Sequence, residues 1–176
     1  MSAMGGVAES SVSAGMGAAG SHEADAGEAL QFVTCRVEGE EFAIDILSVQ
    51  EIIRMVDLTP VPKTASYVEG VINLRGRIVP VINLRQRFGM PDVPRTVHSR
   101  IIIVYVRKRA VGLLVDAVSE VMRVAKSQIE PAPSIGSALG AEFVQGVGRI
   151  GERLMTILDL NRLLVSSSLP SGGHES

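Results

Sequence analysis

Catalysis needs nucleophiles, bases or metal ligands in number, and this chain has few: three histidines and one cysteine in 176 residues. His22 and His174 stand near the two ends, which leaves His98 alone at the start of an apolar run, where a surface role is the ordinary one. A single cysteine builds no zinc cluster, and there is no G-x-x-x-x-G-K-[ST] segment to cradle a phosphate. Asp45, Asp116 and Asp159 interrupt apolar strands. A buried carboxylate pair would suit proton transfer, but an aspartate near a strand end more commonly accepts bonds from backbone N–H groups. Arg75, Arg77, Arg85 and Arg87 could offer charge to a single nucleic-acid strand, yet the aromatic platforms are scarce: no Trp, two Tyr and four Phe, with Phe42 and Phe88 at core-like positions. Four arginines beside a hairpin read instead as a solvated edge that discourages sheet-to-sheet aggregation. The expectation is therefore no catalytic residue, no metal, no cofactor and no nucleic acid. Recognition of protein remains, and a guanidinium suits it because its planar donors grip carboxylates and carbonyls. Arg75 is placed for that role by Asn73-Leu74-Arg75-Gly76, where Gly76 permits a hairpin corner. On the residues alone, an ordinary exposed turn residue is the better account of Arg75.

The elements that must position these residues come as an internal repeat. EFAIDILSVQEIIRMV at 41–56 resembles the stretch RAVGLLVDAVSEVMRV at 109–124, and placing Val49 on Val118, Glu51 on Glu120 and Arg54 on Arg123 fixes the offset at 69. Pro60-Val61-Pro62 and Pro131-Ala132-Pro133 follow at an offset of 71, then VEGVINLRGRIVPVINLRQRF at 68–88 matches VQGVGRIGERLMTILDLNRLL at 144–164 at 76. Short alternating or β-branched runs bounded by Gly, Pro and Asn make each half mostly strands. Gln31 to Glu38 and Glu41 to Ile46 form a hairpin around Gly39-Glu40, and Val71 to Leu74 and Ile78 to Leu84 form another around Gly76. Arg100 to Val106 and Val111 to Val115 repeat the opening hairpin. Leu84 and Phe88 are spaced for a helical turn that Gly89 and Pro91 end, with Leu160 to Val165 as its counterpart. The fold class expected is all-β: two small antiparallel barrels or sandwiches, one per half. At roughly 65–70 residues each would bury only about 60% of its unfolded surface, so the two should dock, with a shared groove open to a ligand or partner.

Composition bounds the rest. Residues 1–29 are rich in Gly, Ala and Ser, hold four acids and no Lys or Arg, and read as a disordered tail without a targeting signal; residues 166–176 read as a second tail. Between them, 30–165 carries 17 basic against 14 acidic residues, too mild an excess to name a polyanionic partner. The longest apolar run, Ile101 to Val106, is far short of the roughly 18 residues that span a bilayer, so no direct membrane insertion is expected. Cys35 reads as a small buried residue of the first strand, and a lone cysteine fits a reducing cytoplasm.

Ile44-Asp45-Ile46, Val49-Gln50-Glu51-Ile52, Thr59-Pro60-Val61-Pro62, Gly70-Val71-Ile72-Asn73-Leu74-Arg75-Gly76 and Ile78-Val79-Pro80-Val81, in that order, resemble the CheW family of chemotaxis coupling proteins. The likeness runs from about Gln31 to Val165 and takes in Pro131-Ala132-Pro133 and Asp159-Leu160. It implies two five-stranded SH3-like barrels with a hydrophobic groove between them and short helices at their ends. It also implies a non-enzymatic adaptor, expected to be a monomer in isolation and recruited from the cytoplasm into receptor arrays. There it would bridge the cytoplasmic tip of chemoreceptors to the regulatory domain of a CheA-type histidine kinase. Asn73, Arg75 and Gly76 match the family's N-L-R-G signature, associated with receptor binding; Val49 and Glu51 match the segment bordering the receptor groove, and Gly70 the glycine before the signature. The kinase side is expected on exposed apolar strand residues of the second barrel, at Val111, Leu113 and Val115. The second half departs from the signature, with Arg149-Ile150-Gly151 where the first has Asn73-Leu74-Arg75, so one corner alone is expected to serve receptors. The same adaptor serving surface motility or pili is an alternative output. A ligand-binding barrel with carboxylates converging on a polar pocket is the alternative class.

Overall fold

Ile101 to Val104 is a run of four apolar residues with no exposed surface at all. Successive strand residues point to opposite faces, so burying every one requires packing on both sides of the strand. The computed structural model, which describes residues 28–132 and 141–164, supplies both. Ile101 and Ile103 face one apolar cluster with Ile72, Val79, Val81 and Leu114. Ile102 and Val104 face a second, larger one with Val33, Cys35, Ile44, Ile82, Phe88, Leu113 and Leu163.

Eleven strands, two short α-helices and three single 3-10 turns build this arrangement among the described residues. The first half holds β1 (Ala29–Val37), β2 (Glu40–Asp45), β3 (Val49–Arg54), β4 (Val68–Leu74), β5 (Arg77–Asn83) and helix α1 (Leu84–Arg87). The second holds β6 (Arg100–Val106), β7 (Arg109–Val115), β8 (Ala117–Ala125), β9 (Ile129–Pro131), β10 (Val144–Ile150), β11 (Arg153–Leu158) and helix α2 (Leu160–Leu164). The strands form two mixed sheets, in the order β8-β1-β2-β11-β10-β9 and β3-β6-β7-β5-β4. Two β units are thus present, as the repeat implied, but neither is one half of the chain. The opening hairpin β1–β2 joins the second-half strands, and its counterpart β6–β7 joins the first-half strands.

The exchange preserves the repeat's register. The parallel pairs that splice each hairpin into the opposite half are Ala43 with Ile157 and Gly112 with Val81, equivalent positions in both cases. A bulge skips Gln50 between β3 and β6, and another skips Ser119 between β8 and β1. The bridge of Thr59 to Val71 corresponds to the pairing of Glu130 with Val147, extended in the second half into β9. Each sheet curls over its own apolar cluster, one built on Ile72, Val81 and Ile101, the other on Phe32, Val124, Met155 and Ile157. The largest cluster fills the space between the sheets, where the sequence suggested a groove. Cys35 is buried there as expected; burial first, then the nearby Glu41 and Asp116 charges, pushes its thiol up to about 12, so it stays protonated.

Polar staples join the halves. Arg85 of α1 donates from Nε (2.9 Å) and Nη2 (2.7 Å) to Asp116, which begins no strand but links β7 to β8. It also pairs with Glu38 in the β1–β2 turn. The Arg87 guanidinium lies 4.4 Å from both the Tyr67 and Phe143 ring centres, and its Nε–H donates to the Leu163 carbonyl at 3.0 Å. These two arginines are therefore internal fasteners, a correction to the solvated edge inferred from sequence. No helix of the described residues is long and apolar enough to cross a membrane. Residues 1–27, Pro133 and 165–176 lie outside the described residues; Glu28 and Ala29, expected in the first tail, are described, the Glu28 carbonyl accepting the Lys126 N–H and Ala29 pairing with Ala125.

Gly70 marks the crossing at which Thr59 bridges β4. Its φ is +150°, and a Cβ there would stand 2.5 Å from the Thr59 carbonyl oxygen. Gly70→Ala should therefore lower stability by roughly 1–3 kcal/mol through strain and collision, read as a reduced urea midpoint with unchanged slope. Gly146→Ala, with its Cβ 2.7 Å from the Glu130 carbonyl oxygen but no positive φ, should cost less. The exchange makes a second expectation. Residues 1–95 and 96–176, produced together, should purify as a folded pair, whereas either piece alone should lack the near-ultraviolet dichroism of a packed core.

Candidate functional site

Residues Leu74 and Arg77 are paired across β4 and β5, leaving a two-residue turn of Arg75 and Gly76 with φ of +55° and +83°. This primed turn matches the twist of the strands it joins. A non-glycine residue at positive φ is uncommon, and here Asn73 helps to fix it: its Oδ1 accepts the Gly76 N–H at 2.8 Å. Arg75 is thus presented at the tip on a stiff support. Its guanidinium makes a two-point pair with Glu51, Nη2 donating to Oε1 at 3.0 Å and Nη1 to Oε2.

Glu51 lies on β3 and Arg75 follows β4, the two edges of the five-stranded sheet. The pair thus ties the edges of the curled sheet together at one end. The Arg75 side chain remains 71% exposed and Glu51 27%, so the pair faces solvent as well as bracing the sheet. Beside it is a shallow cleft of about 350 Å³ lined by Gln50, Leu74, Arg77, Val79 and Ala110. The hydrogen bond from Arg75 comes first among the influences that hold the Glu51 carboxyl below the usual carboxylate range, and Glu51 in turn holds the Arg75 proton more tightly. In the second half the equivalent Glu120 also meets an arginine, but that is Arg153 at 2.9 Å, which reaches Glu41 at 2.6 Å as well. Arg153 stands in the repeat where the first half has Arg77.

The structure brings Glu51, Asn73, Arg75 and Gly76 together as one corner. Val49 is half-buried against the inter-sheet core, as are Ile46 and the repeat-equivalent Val118. Gly70 is buried at the backbone crossing and supports the corner without presenting a surface. Val111, Leu113 and Val115 are corrected outright: they are 2%, 0% and 2% exposed, members of the inter-sheet core that no partner reaches. The exposed apolar strand residues are others, among them Ile52 and Ile78 in the first half and, at the equivalent positions, Val121 and Leu154 in the second. The family resemblance implies exposed apolar strand residues for that role, whereas Val111 to Val115 is apolar on both faces of β7 and buried at every position.

The three aspartates act as backbone caps, as expected. Asp45 Oδ1 accepts the Leu47 N–H at 2.9 Å, Asp116 Oδ2 the Glu38 N–H at 2.9 Å, and Asp159 Oδ1 the Arg162 N–H at 3.2 Å. Burial alone would raise Asp116, but the Arg85 guanidinium and the Glu38 N–H keep it below the usual carboxylate range. The three do not meet in one pocket: Asp45 and Asp159 border the same open cleft of about 330 Å³, while Asp116 lies against Arg85.

Residues 31–168 match the family described as CheW-like domain. Among similar proteins, the chemotaxis protein CheW of Klebsiella aerogenes is 38% identical over 139 residues, which cover 79% of this chain and 84% of that protein. The chemotaxis protein CheW of Bacillus subtilis is 36% identical over 141 residues, covering 80% and 90%. Among solved structures, the scaffolding protein TtCheW from Thermoanaerobacter tengcongensis superposes with a TM-score of 0.75 at 34% identity, covering 81% of this chain and all of that one.

The corner's electrostatics have a definite sign. With its carboxyl held low in the folded state, Glu51 adds stability that is complete above the unfolded value of about 4.3 and is lost as pH falls through the lower folded value. Carbon-detected NMR should place the Glu51 titration below that value in the parent protein and return it to the ordinary range in Arg75→Ala. High salt should narrow the difference, because the pair is exposed. An unchanged midpoint in the variant would show that Arg75 does not hold Glu51 in solution.

Proposed function

This chain belongs to the CheW family, and from that premise we propose that the Arg75–Glu51 corner holds the cytoplasmic tip of a chemoreceptor while a separate surface holds a CheA-type histidine kinase. The protein is a non-enzymatic scaffold of chemotaxis signal transduction. Its work is simultaneous occupancy: binding two partners raises their local concentration and couples their conformational equilibria.

The observation that carries the receptor assignment is the 71% exposed guanidinium of Arg75, fixed at positive φ on an Asn73-braced turn. A side chain so exposed yet so firmly aimed loses little freedom on binding. Glu51 occupies some of its donors and Arg77 adds a second cation beside the same cleft, an arrangement suited to carboxylates and helix C-terminal carbonyls. Half-buried Val49 extends the surface toward the inter-sheet core, while Gly70, Asn73 and Gly76 give the corner its shape. With Val111, Leu113 and Val115 buried, the kinase surface is better placed on the second half's exposed strand residues Val121 and Leu154, 52% and 54% exposed. Receptor and kinase would then bind repeat-related faces of one body, within a larger membrane-associated array.

Arg75→Glu tests the division. Charge reversal at an exposed tip should leave the fold intact by circular dichroism, and affinity capture should lose chemoreceptors while retaining the kinase. Loss of folding would instead assign Arg75 to bracing alone, and retention of receptors would remove the corner from receptor binding. In the same assay, Val121→Asp with Leu154→Asp should lose the kinase and keep the receptors.

A further inference from the structure

The cleft beside the Arg75 tip has a filled copy in the other half of the molecule. Shifted by the repeat offsets, Glu51 corresponds to Glu120, Arg77 to Arg153, Val79 to Met155 and Ala110 to Glu41. Backbone pairing fixes the last equivalence as well: Ala43 lies beside Ile157 as Gly112 lies beside Val81, and Glu41 and Ala110 stand two residues before Ala43 and Gly112. In the second half the Arg153 guanidinium is held by two carboxylates, Glu120 at 2.9 Å and Glu41 at 2.6 Å, and the Glu41 side chain is only 18% exposed.

The first half lacks one of those carboxylates. Glu51 is taken by the turn residue Arg75, and in the place of Glu41 stands the methyl group of Ala110. The Arg77 guanidinium has no ion pair and no hydrogen bond among the described residues. Both Arg77 and Ala110 line the cleft of about 350 Å³, together with Leu74 and Val79. Two arginines face one acid here, Arg75 and Arg77 against Glu51, where the other copy sets two acids against one arginine.

Resting on the reading of the corner as the receptor surface, we propose that this cleft receives a glutamate or aspartate side chain of the bound receptor tip. The incoming carboxylate pairs with Arg77 above Ala110, as Glu41 pairs with Arg153 in the other copy. A guanidinium offers a carboxylate parallel donors, the short Ala110 side chain leaves the room, and Leu74 and Val79 beside it lower the local dielectric in which the charges meet. Arg77 is then a specificity-determining residue, distinct from the braced Arg75: a tip that presents an amide at this point leaves the guanidinium unpaired inside the contact.

Ala110→Glu tests the site within the molecule. It restores the second-half arrangement, so the full-length chain should fold as the parent does. By NMR the introduced carboxyl should titrate below the ordinary glutamate value of about 4.3 and should shift the Arg77 Nε–H signal. Ala110→Gln, equal in size and neutral, should leave that signal in place. An ordinary titration with no change at Arg77 would overturn the proposal.

Binding is then measured with a soluble fragment spanning the cytoplasmic tip of a chemoreceptor from the same cell. Ala110→Glu should bind it at least about threefold more weakly than Ala110→Gln, because the site is already occupied. With the acids of the tip changed one at a time to their amides, one change should couple to Arg77→Gln by about three- to tenfold in a double-mutant cycle. Coupling below about twofold for every acid, with binding still lost in Arg75→Glu, would overturn the carboxylate site and leave the corner standing. Failure of the parent chain to bind the tip would overturn the corner reading, and the assignment of this carboxylate to a receptor with it. A shift of the Arg77 signal on deleting residues 1–27 or 166–176, which carry Glu9, Glu23, Asp25 and Glu175, would make the chain's own ends the source and would overturn the assignment to a partner.

Discussion

Everything in this fold depends on the apolar layer between its two sheets. Neither sheet has enough wall of its own to be complete: each lacks a hairpin that the other half of the chain provides. β1–β2 and β6–β7 cross over in opposite directions, and the residues that make the crossing, Val33, Cys35, Ile44, Ile102, Val104 and Leu113, are buried in the shared layer. A fully buried side chain of this size contributes about 1.5–3 kcal/mol. The layer therefore stabilises the exchange itself, and with it the two smaller clusters that each sheet curls around.

On that frame the repeat is kept where backbones meet and relaxed where side chains meet solvent. Gly70 and Gly146 both let a crossing strand approach, the bulges at Gln50 and Ser119 coincide, and the parallel splices fall on equivalent residues. At the hairpin tips the halves part. Glu51 takes its arginine from the turn residue Arg75, whereas Glu120 takes its own from Arg153, two positions further on by the repeat, which is shared with Glu41. A constraint common to both halves, an acid on the third strand neutralised by the last hairpin, is met by two solutions. One of them leaves a guanidinium at the apex and 71% exposed.

Much of this was legible in the chain. Period-two alternation and turn residues located the hairpins, and the offsets revealed the duplication before any coordinate did. Asn73 and Gly76 announced the tip, and the caps made by Asp45, Asp116 and Asp159 followed from their places at strand ends. Hairpin exchange was not legible, because equivalent halves offer equivalent partners and the sequence pattern is satisfied by either pairing. Val111, Leu113 and Val115 carry no sign of their burial either: the run is apolar on both faces, and the layers that cover each face come from distant strands. Arg85 and Arg87 misled for a related reason. A guanidinium can be buried when it finds Asp116 and Glu38, or two rings and a carbonyl, and, Tyr67 apart, those partners are 31 or more residues away in the chain.

Interlocked hairpins also decide how such a body bears load. Two barrels joined end to end by a linker would swing about it, and a push on one would be spent in bending. Here any rotation of one sheet against the other must drag a hairpin through a close-packed layer whose interior yields little. Between its two ends the protein is accordingly a strut: a displacement delivered at the Arg75 tip moves the opposite face by nearly the same amount, and compliance in an assembly built from it resides at the contacts between molecules.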